Sequence, residues 1–156
     1  MKLVKDYMKT RVKKVRPRDS IFKAAETLAK YHISGAPVVT GRKVVGILTE
    51  ADIIKFMKVD LAKTHNELAA EPHSLSIVLL TLLKGEIDIK REIERMSKLL
   101  VKDFMSKDVI SIGPDESVLE AANLLDKHQI DRLPVIDTGR LVGIVSRADL
   151  IKALLD

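Results

Sequence analysis

The sequence of 156 residues predicts an α/β fold in α+β layers, built from two copies of one strand-helix-strand-strand-helix unit. Two observations carry that prediction. The first is an internal repeat: a shift of 97 positions lays Val4-Lys5-Asp6-Tyr7-Met8 on Val101-Lys102-Asp103-Phe104-Met105 and, without a gap, Pro17 on Pro114, Pro37-Val38 on Pro134-Val135, and Gly46-Ile47 on Gly143-Ile144. The second is the alternation, within each copy, of period-2 apolar runs with a 3.6-period stripe. Strands mixed with helices in this way give helices covering one face of a small sheet. A unit of this size is poorly able to bury a core alone, so the copies are expected to pack on each other, with function between them.

The elements follow in order. In the first copy Val12 to Val15 reads as a strand, and Ile21, Ala24, Ala25 and Leu28 mark a helix. Ala36 to Thr40 and Val44 to Leu48 form a hairpin across Gly41, and a helix begins at about Glu50. In the second copy Asp108 to Ile112 reads as a strand that Gly113-Pro114-Asp115-Glu116 breaks. Ser117-x-x-Glu120 then has the form of a capping box, before a helix with Val118, Ala121, Ala122 and Leu125 on one face. Alanines at 121 and 122 permit close approach to a sheet. Leu133 to Ile136, a turn at Asp137-Thr138-Gly139, and Leu141 to Val145 form the second hairpin, and Ser146-Arg147-Ala148-Asp149 starts the last helix. Residues 57–100 have no counterpart. Pro72 and Gly85 divide them into expected helices over Asp60–Ala70, Leu75–Lys84 and Glu86–Leu100, the third with an Ile89, Ile93, Met96, Leu100 stripe that needs a partner on this chain or another.

Composition narrows the function. Aromatic residues make up 3% of the chain and hydrophobic residues 46%, so the core is aliphatic. No stretch reaches the ~18 apolar residues of a membrane span, and the N-terminus lacks a signal-peptide pattern, so a soluble, cytoplasmic protein with no membrane partner is expected. There is no cysteine, which removes disulfides, thiolate metal sites and thiol nucleophiles. No phosphate-binding Gly-x-x-x-x-Gly-Lys loop and no His-Glu-x-x-His pair is present, and His32, His65, His73 and His128 are scattered, so neither catalysis nor a metal is expected. The net charge of +5 hides an asymmetry: +8 over residues 1–56, 0 over 57–100 and −3 over 101–156. Lys9, Arg11, Lys13, Lys14, Arg16 and Arg18 form either an anion-facing edge or a solvated strand edge. Nucleic-acid binding is one reading of pI 9.4, opposed by the lack of aromatics for base stacking. Head-to-tail pairing of oppositely charged halves is another.

Each hairpin ends in the same polar signature, Gly46-Ile47-Leu48-Thr49-Glu50-Ala51-Asp52 and Gly143-Ile144-Val145-Ser146-Arg147-Ala148-Asp149. A hydroxyl at a strand-to-helix junction with an acid three residues on puts free backbone N–H groups and a carboxylate side by side. The first suit a phosphate and the second the two hydroxyls of a ribose. The same spacing also describes an ordinary helix cap that touches no ligand.

Together, the paired Lys-Asp-(Tyr/Phe)-Met segments, the Ala-Ala helices, Ile33-Ser-Gly-Ala-Pro-Val-Val39 with Ile130-Asp-Arg-Leu-Pro-Val-Ile136, and the Gly-Ile-x-(Thr/Ser)-x-x-Asp ends resemble a tandem pair of CBS domains. The resemblance covers residues 1–56 and 101–156. It implies a stand-alone Bateman module: two motifs packed through their sheets about a pseudo-twofold axis, leaving two clefts for an adenosyl ligand such as AMP, ADP, ATP or S-adenosylmethionine. Such a module regulates an unidentified protein target rather than catalysing, requires no cofactor, and commonly forms a homodimer. By position, the resemblance implies a first cleft of Lys14, Val15, Arg16, Ser34, Gly35, Ala36, Pro37, Thr49 and Asp52. The second would comprise Ser111, Ile112, Asp131, Arg132, Leu133, Pro134, Ser146, Arg147 and Asp149. Glu50 stands where the second copy has Arg147, which opposes a polyphosphate and makes the second cleft the expected principal site. Lys13, Lys14, Arg16 and Arg18 could instead supply positive charge to the first. The linker between the motifs, residues 57–100, is longer than the family's usual one.

Overall fold

The structure, a computed structural model, describes residues 1–55 and 89–156. The helices expected over Asp60–Ala70 and Leu75–Lys84, and the start of the third at Glu86, lie outside them. The first copy comprises α1 (Val4–Tyr7), α2 (Ile21–Lys30), β1 (Gly35–Thr40), β2 (Lys43–Thr49) and a helix over residues 50–55 (α3). After α4 (Ile89–Met96), the second copy comprises a 3-10 turn (Val101–Asp103), α5 (Val118–Lys127), β3 (Arg132–Asp137), β4 (Arg140–Ser146) and α6 (Arg147–Leu155).

The copies repeat one another in detail because their local chemistry repeats. Ser20 Oγ accepts from the Lys23 N–H at 3.0 Å and Ser117 Oγ from the Glu120 N–H at 3.1 Å, fixing where α2 and α5 start. Both helices end in a Schellman motif. The Ile33 N–H reaches the Leu28 carbonyl at 3.0 Å and the Ile130 N–H that of Leu125 at 3.1 Å. The turning residues are His32 (φ 51°) and Gln129 (φ 53°), both in the left-handed region without being glycine. Each hairpin is antiparallel with the same irregularity, after Val38 in one and after Val135 in the other. Ala121 is fully buried as its spacing predicts, whereas Ala122 faces outward.

The expected first strands reduce to single parallel bridges, Val15 on Val38 and Ile112 on Val135. Prolines set that limit. The Val15 N–H donates to the Pro37 carbonyl at 3.0 Å and the Val39 N–H to the Val15 carbonyl at 2.9 Å. The next bonds on either side would need donors from Pro17 and Pro37, which have none. Pro114 and Pro134 end the second copy's ladder in the same way.

Each copy is completed by the other's opening arm. Lys9 exchanges both backbone hydrogen bonds with Ile144 on β4, at 2.8 and 2.9 Å, and Ser106 does the same with Ile47 on β2, both at 2.9 Å. The arms carry Val4 into a core with Ala121, Leu125, Leu133, Val135 and Val145, and Val101 into a core with Ile21, Ala24, Leu28, Val38 and Leu48. Both valines are fully buried. The crossing needs bare backbone beneath it. A Cβ at Gly143 would lie 2.5 Å from Met8 Sδ, and one at Gly46 2.6 Å from Met105 Sδ.

The third linker helix stops at Met96, short of the expected Leu100, because the chain must turn onto the first copy. There the Ile21 N–H donates to the Leu99 carbonyl at 2.8 Å and the Val101 N–H to that of Asp19 at 2.9 Å. Met96 and Leu99 pack on the first core, so this end of the apolar stripe finds its partner within the chain. Among the described residues no helix is long and apolar enough to cross a membrane.

Two outcomes follow. Val4→Ala lies early in the sequence but should loosen the second copy's core, costing about 1–3 kcal/mol in urea unfolding. Amide exchange should quicken at Leu133 and Val135 before Ala36 and Val38; equal acceleration of both hairpins would contradict the arm exchange. Gln129→Gly should raise stability by about 0.5–1 kcal/mol by removing left-handed strain, read as a higher urea midpoint.

Candidate ligand clefts

At each strand-to-helix junction the polar signature closes on itself. Asp149 Oδ2 accepts from the Ser146 N–H at 2.9 Å and from its Oγ–H at 2.6 Å, while the Asp149 N–H donates to Ser146 Oγ at 3.4 Å. Asp52 and Thr49 repeat this at 2.9, 3.0 and 3.3 Å. The cap geometry is therefore real. It uses one carboxylate oxygen and leaves the other, Oδ1, with acceptor capacity. Most first-turn N–H groups expected to face a phosphate are engaged: Arg147 N donates to the Asp131 carbonyl at 3.1 Å and Glu50 N to that of Ser34 at 2.9 Å. An anion here would depend on side chains instead.

Two cavities flank the contact between the copies, and each takes residues from both. The Asp52 cleft, of about 450 Å³, is formed by Ser34, Ile47, Thr49, Glu50, Ala51 and Asp52 facing Ser106, Asp108, Ile110, Gln129, Ile130, Asp131, Arg132 and Pro134. The Asp149 cleft, of about 310 Å³, brings Ile144, Ser146, Asp149 and Arg132 against Lys9, Arg11, Val12, Lys13, Tyr31, His32, Ile33 and Gly35. Both volumes lie in the range of small-molecule sites.

The residues expected at each site are thus regrouped. Thr49, Asp52 and Ser34 share a cleft with Asp131, Arg132 and Pro134 of the other copy, while Ser146 and Asp149 share theirs with Gly35. Arg132 borders both. Val15, Ala36, Leu133 and Ile112 are core residues and Pro37 is fully buried, so these hold the walls from behind. Lys14 and Arg16 border a separate depression with Arg18 and Gly41, and Ser111 borders another with Asp115 and Glu120. Arg147 turns away from Asp149: its Nε donates to Asp131 Oδ1 at 3.2 Å and its Nη2 to the Leu125 carbonyl at 3.2 Å. The grouping by copy fails because the arms cross, which local sequence pattern does not reveal.

The clefts differ in charge. The ionisable residues bordering the Asp52 cleft are Glu50, Asp52, Asp108, Asp131 and one cation, Arg132. The Asp149 cleft gathers Lys9, Arg11, Lys13 and Arg132 around a carboxylate only 3% exposed, with Lys9 Nζ 3.7 Å from Asp149 Oδ1. Lys13 Nζ lies 4.1 Å above the Tyr31 ring, which holds the ammonium at the mouth. The basic run does line a cleft, but through its first half and on the other copy's acid. His32 and Gln129 are cleft residues that sequence reasoning missed. Their signal was their equivalence at helix ends where glycine is usual. Among the described residues no three His, Asp or Glu side chains are placed to hold a metal ion.

The sequence model of the CBS domain matches residues 4–59 and 101–156. Protein MJ1426 of Methanocaldococcus jannaschii is 38% identical over 98% of this chain and 91% of its own length. The CBS domain-containing protein YhcV of Bacillus subtilis is 31% identical over 96% of this chain and 84% of its own. Among solved structures, the CBS domain pair of protein MJ0100 in complex with 5-methylthioadenosine and S-adenosyl-L-methionine is 28% identical, with a TM-score of 0.66 over 99% of both chains. With one match on each half of an internal repeat, and relatives aligned along nearly all of its length, the chain belongs to the CBS domain family as a tandem pair.

Proposed function

We propose that this protein is a regulatory, non-catalytic sensor that binds adenosyl ligands, AMP, ADP, ATP or S-adenosylmethionine, in the clefts between its two copies and passes the bound state to a protein target. The observation that carries the reading is Asp149: a buried carboxylate, oriented by its own helix cap, beside a cavity whose other charged residues are cations. Such a group accepts both hydroxyls of a ribose, while Lys9, Arg11, Lys13 and Arg132 meet a phosphate that the occupied helix terminus would not. The related MJ0100 pair, solved with two adenosyl compounds, supports the ligand class. In this reading the Asp149 cleft is the principal phosphate-bearing site, supported by Lys9, Arg11 and Lys13 of the first copy and Arg132 of the second rather than by Arg147.

Calorimetric titration with AMP, ATP and S-adenosylmethionine tests this. Asp149→Asn should weaken the tightest ligand about 10- to 100-fold, the worth of charge-assisted hydrogen bonds, and Asp52→Asn should do less. Because the substitution also touches a cap, the thermal midpoint is read in parallel. Lys9→Ala with Lys13→Ala leaves the cap intact and should weaken AMP more than adenosine. No ligand binding to the wild type would reduce both signatures to caps. ATP should be recovered unhydrolysed.

The self-association surface in this proposal is the apolar groove between α5 and α6, where Leu119 is 69% and Leu154 83% exposed beside Ala122 and Ile151. In the first copy, α2 is contacted by α4 of the same chain. The open face would pair two copies into a homodimer. Ile151→Glu with Leu154→Glu should turn a dimer into a folded monomer in sedimentation, and an unchanged mass would remove this interface.

A further inference from the structure

At Arg132 the repeat is unequal, because its counterpart in the first copy is Gly35. Its guanidinium crosses between the copies: Nη1 donates to the Gly35 carbonyl at 3.1 Å and Nη2 to Ser34 Oγ at 2.5 Å. Ser34 borders the Asp52 cleft, Gly35 borders the Asp149 cleft, and Arg132 borders both. One cation is thus shared by two cavities with very different reserves. The Asp149 cleft has Lys9, Arg11 and Lys13 besides. Among the described residues bordering the Asp52 cleft, Arg132 stands alone against four carboxylates.

We propose that Arg132 couples the two clefts, so that an anionic ligand in the Asp149 cleft lowers the affinity of the Asp52 cleft for a second anion. This rests on reading the clefts as nucleoside sites. Two of the five guanidinium N–H groups are spent on Ser34 and Gly35, which leaves donors for a phosphate on either side. A phosphate held by Lys9 and Lys13 neutralises the guanidinium and draws it from Ser34. The Asp52 cleft then presents Glu50, Asp52 and Asp108, with Asp131 already paired to Arg147, and no other cation among the described residues that border it. By linkage, an anion in the Asp52 cleft weakens the other by the same factor. An uncharged nucleoside, which asks nothing of Arg132, escapes the coupling.

The test uses AMP as the anionic probe and adenosine as the neutral one, with labelled isoleucine methyls of Ile47 and Ile144 reporting the Asp52 and Asp149 clefts by NMR. In the wild type, the Ile47 response to AMP should follow that of Ile144, at a concentration on the order of tenfold higher. Weakening the Asp149 cleft by Lys9→Ala with Lys13→Ala, which leaves both helix caps intact, should bring the Ile47 midpoint to lower AMP by a similar factor. Arg132→Gln, which keeps N–H donors but removes the charge, should raise the Ile47 midpoint and make it indifferent to the lysine substitutions. Adenosine should give an Ile47 midpoint that those substitutions do not move. If both methyls respond to AMP and the Ile47 midpoint ignores the state of the Asp149 cleft, the coupling is wrong and the nucleoside reading survives. If neither methyl responds to AMP or adenosine, both fall together.

Discussion

The exchange of opening arms is the constraint on which the remaining structure depends. Val4 belongs by sequence to the first copy and by packing to the second core, and Val101 the reverse. Neither core is complete without a segment that lies far from it along the chain. Closing loops of that length is costly in entropy, and the return is two apolar cores stabilised by the same pair of crossings. The backbone pairs of Lys9 with Ile144 and Ser106 with Ile47 hold the crossing in register. The two glycines beneath them let a methionine lie directly on the strand.

The crossing also determines what the clefts are. Once the arm of one copy lies along the hairpin of the other, the basic residues that follow it, Lys9 to Lys13, are delivered to the acid of the other half. The cap at Ser146 and Asp149 then serves two ends. It starts α6, and it holds a buried carboxylate in one rotamer with an oxygen to spare. In the proposed role, a carboxylate already fixed by local hydrogen bonds would lose little entropy when a ligand arrives.

Much of the fold could be read from the chain. Ser20 and Ser117 mark helix starts, the Gly41 and Thr138-Gly139 turns mark hairpins, and the repeat itself announces two equal units. What escaped was non-local. The first strands look like strands by alternation, but whether they pair is decided by prolines on both partners. The helix over Ile89–Met96 ends where tertiary hydrogen bonds to Asp19 and Ile21 capture the chain, a contact that periodicity does not encode. At the site, the acids and hydroxyls were visible as motifs, and their membership of particular clefts was not. Thr49 and Asp131 carry no sign in sequence that they share a cavity. His32 and Gln129 were legible in principle, since both follow a helix with no glycine to turn it.

Because the Asp52 and Asp149 clefts are each assembled from both halves, the duplicated units are not free to drift apart one function at a time. A change that makes the first half more basic is felt at the acid of the second, and a change at Arg132 is felt in two places at once. After duplication, diversification of such a molecule proceeds by the pairing of unlike halves. Two copies of one ancestral motif yield two different pockets, neither of which is inherited whole from the parent unit.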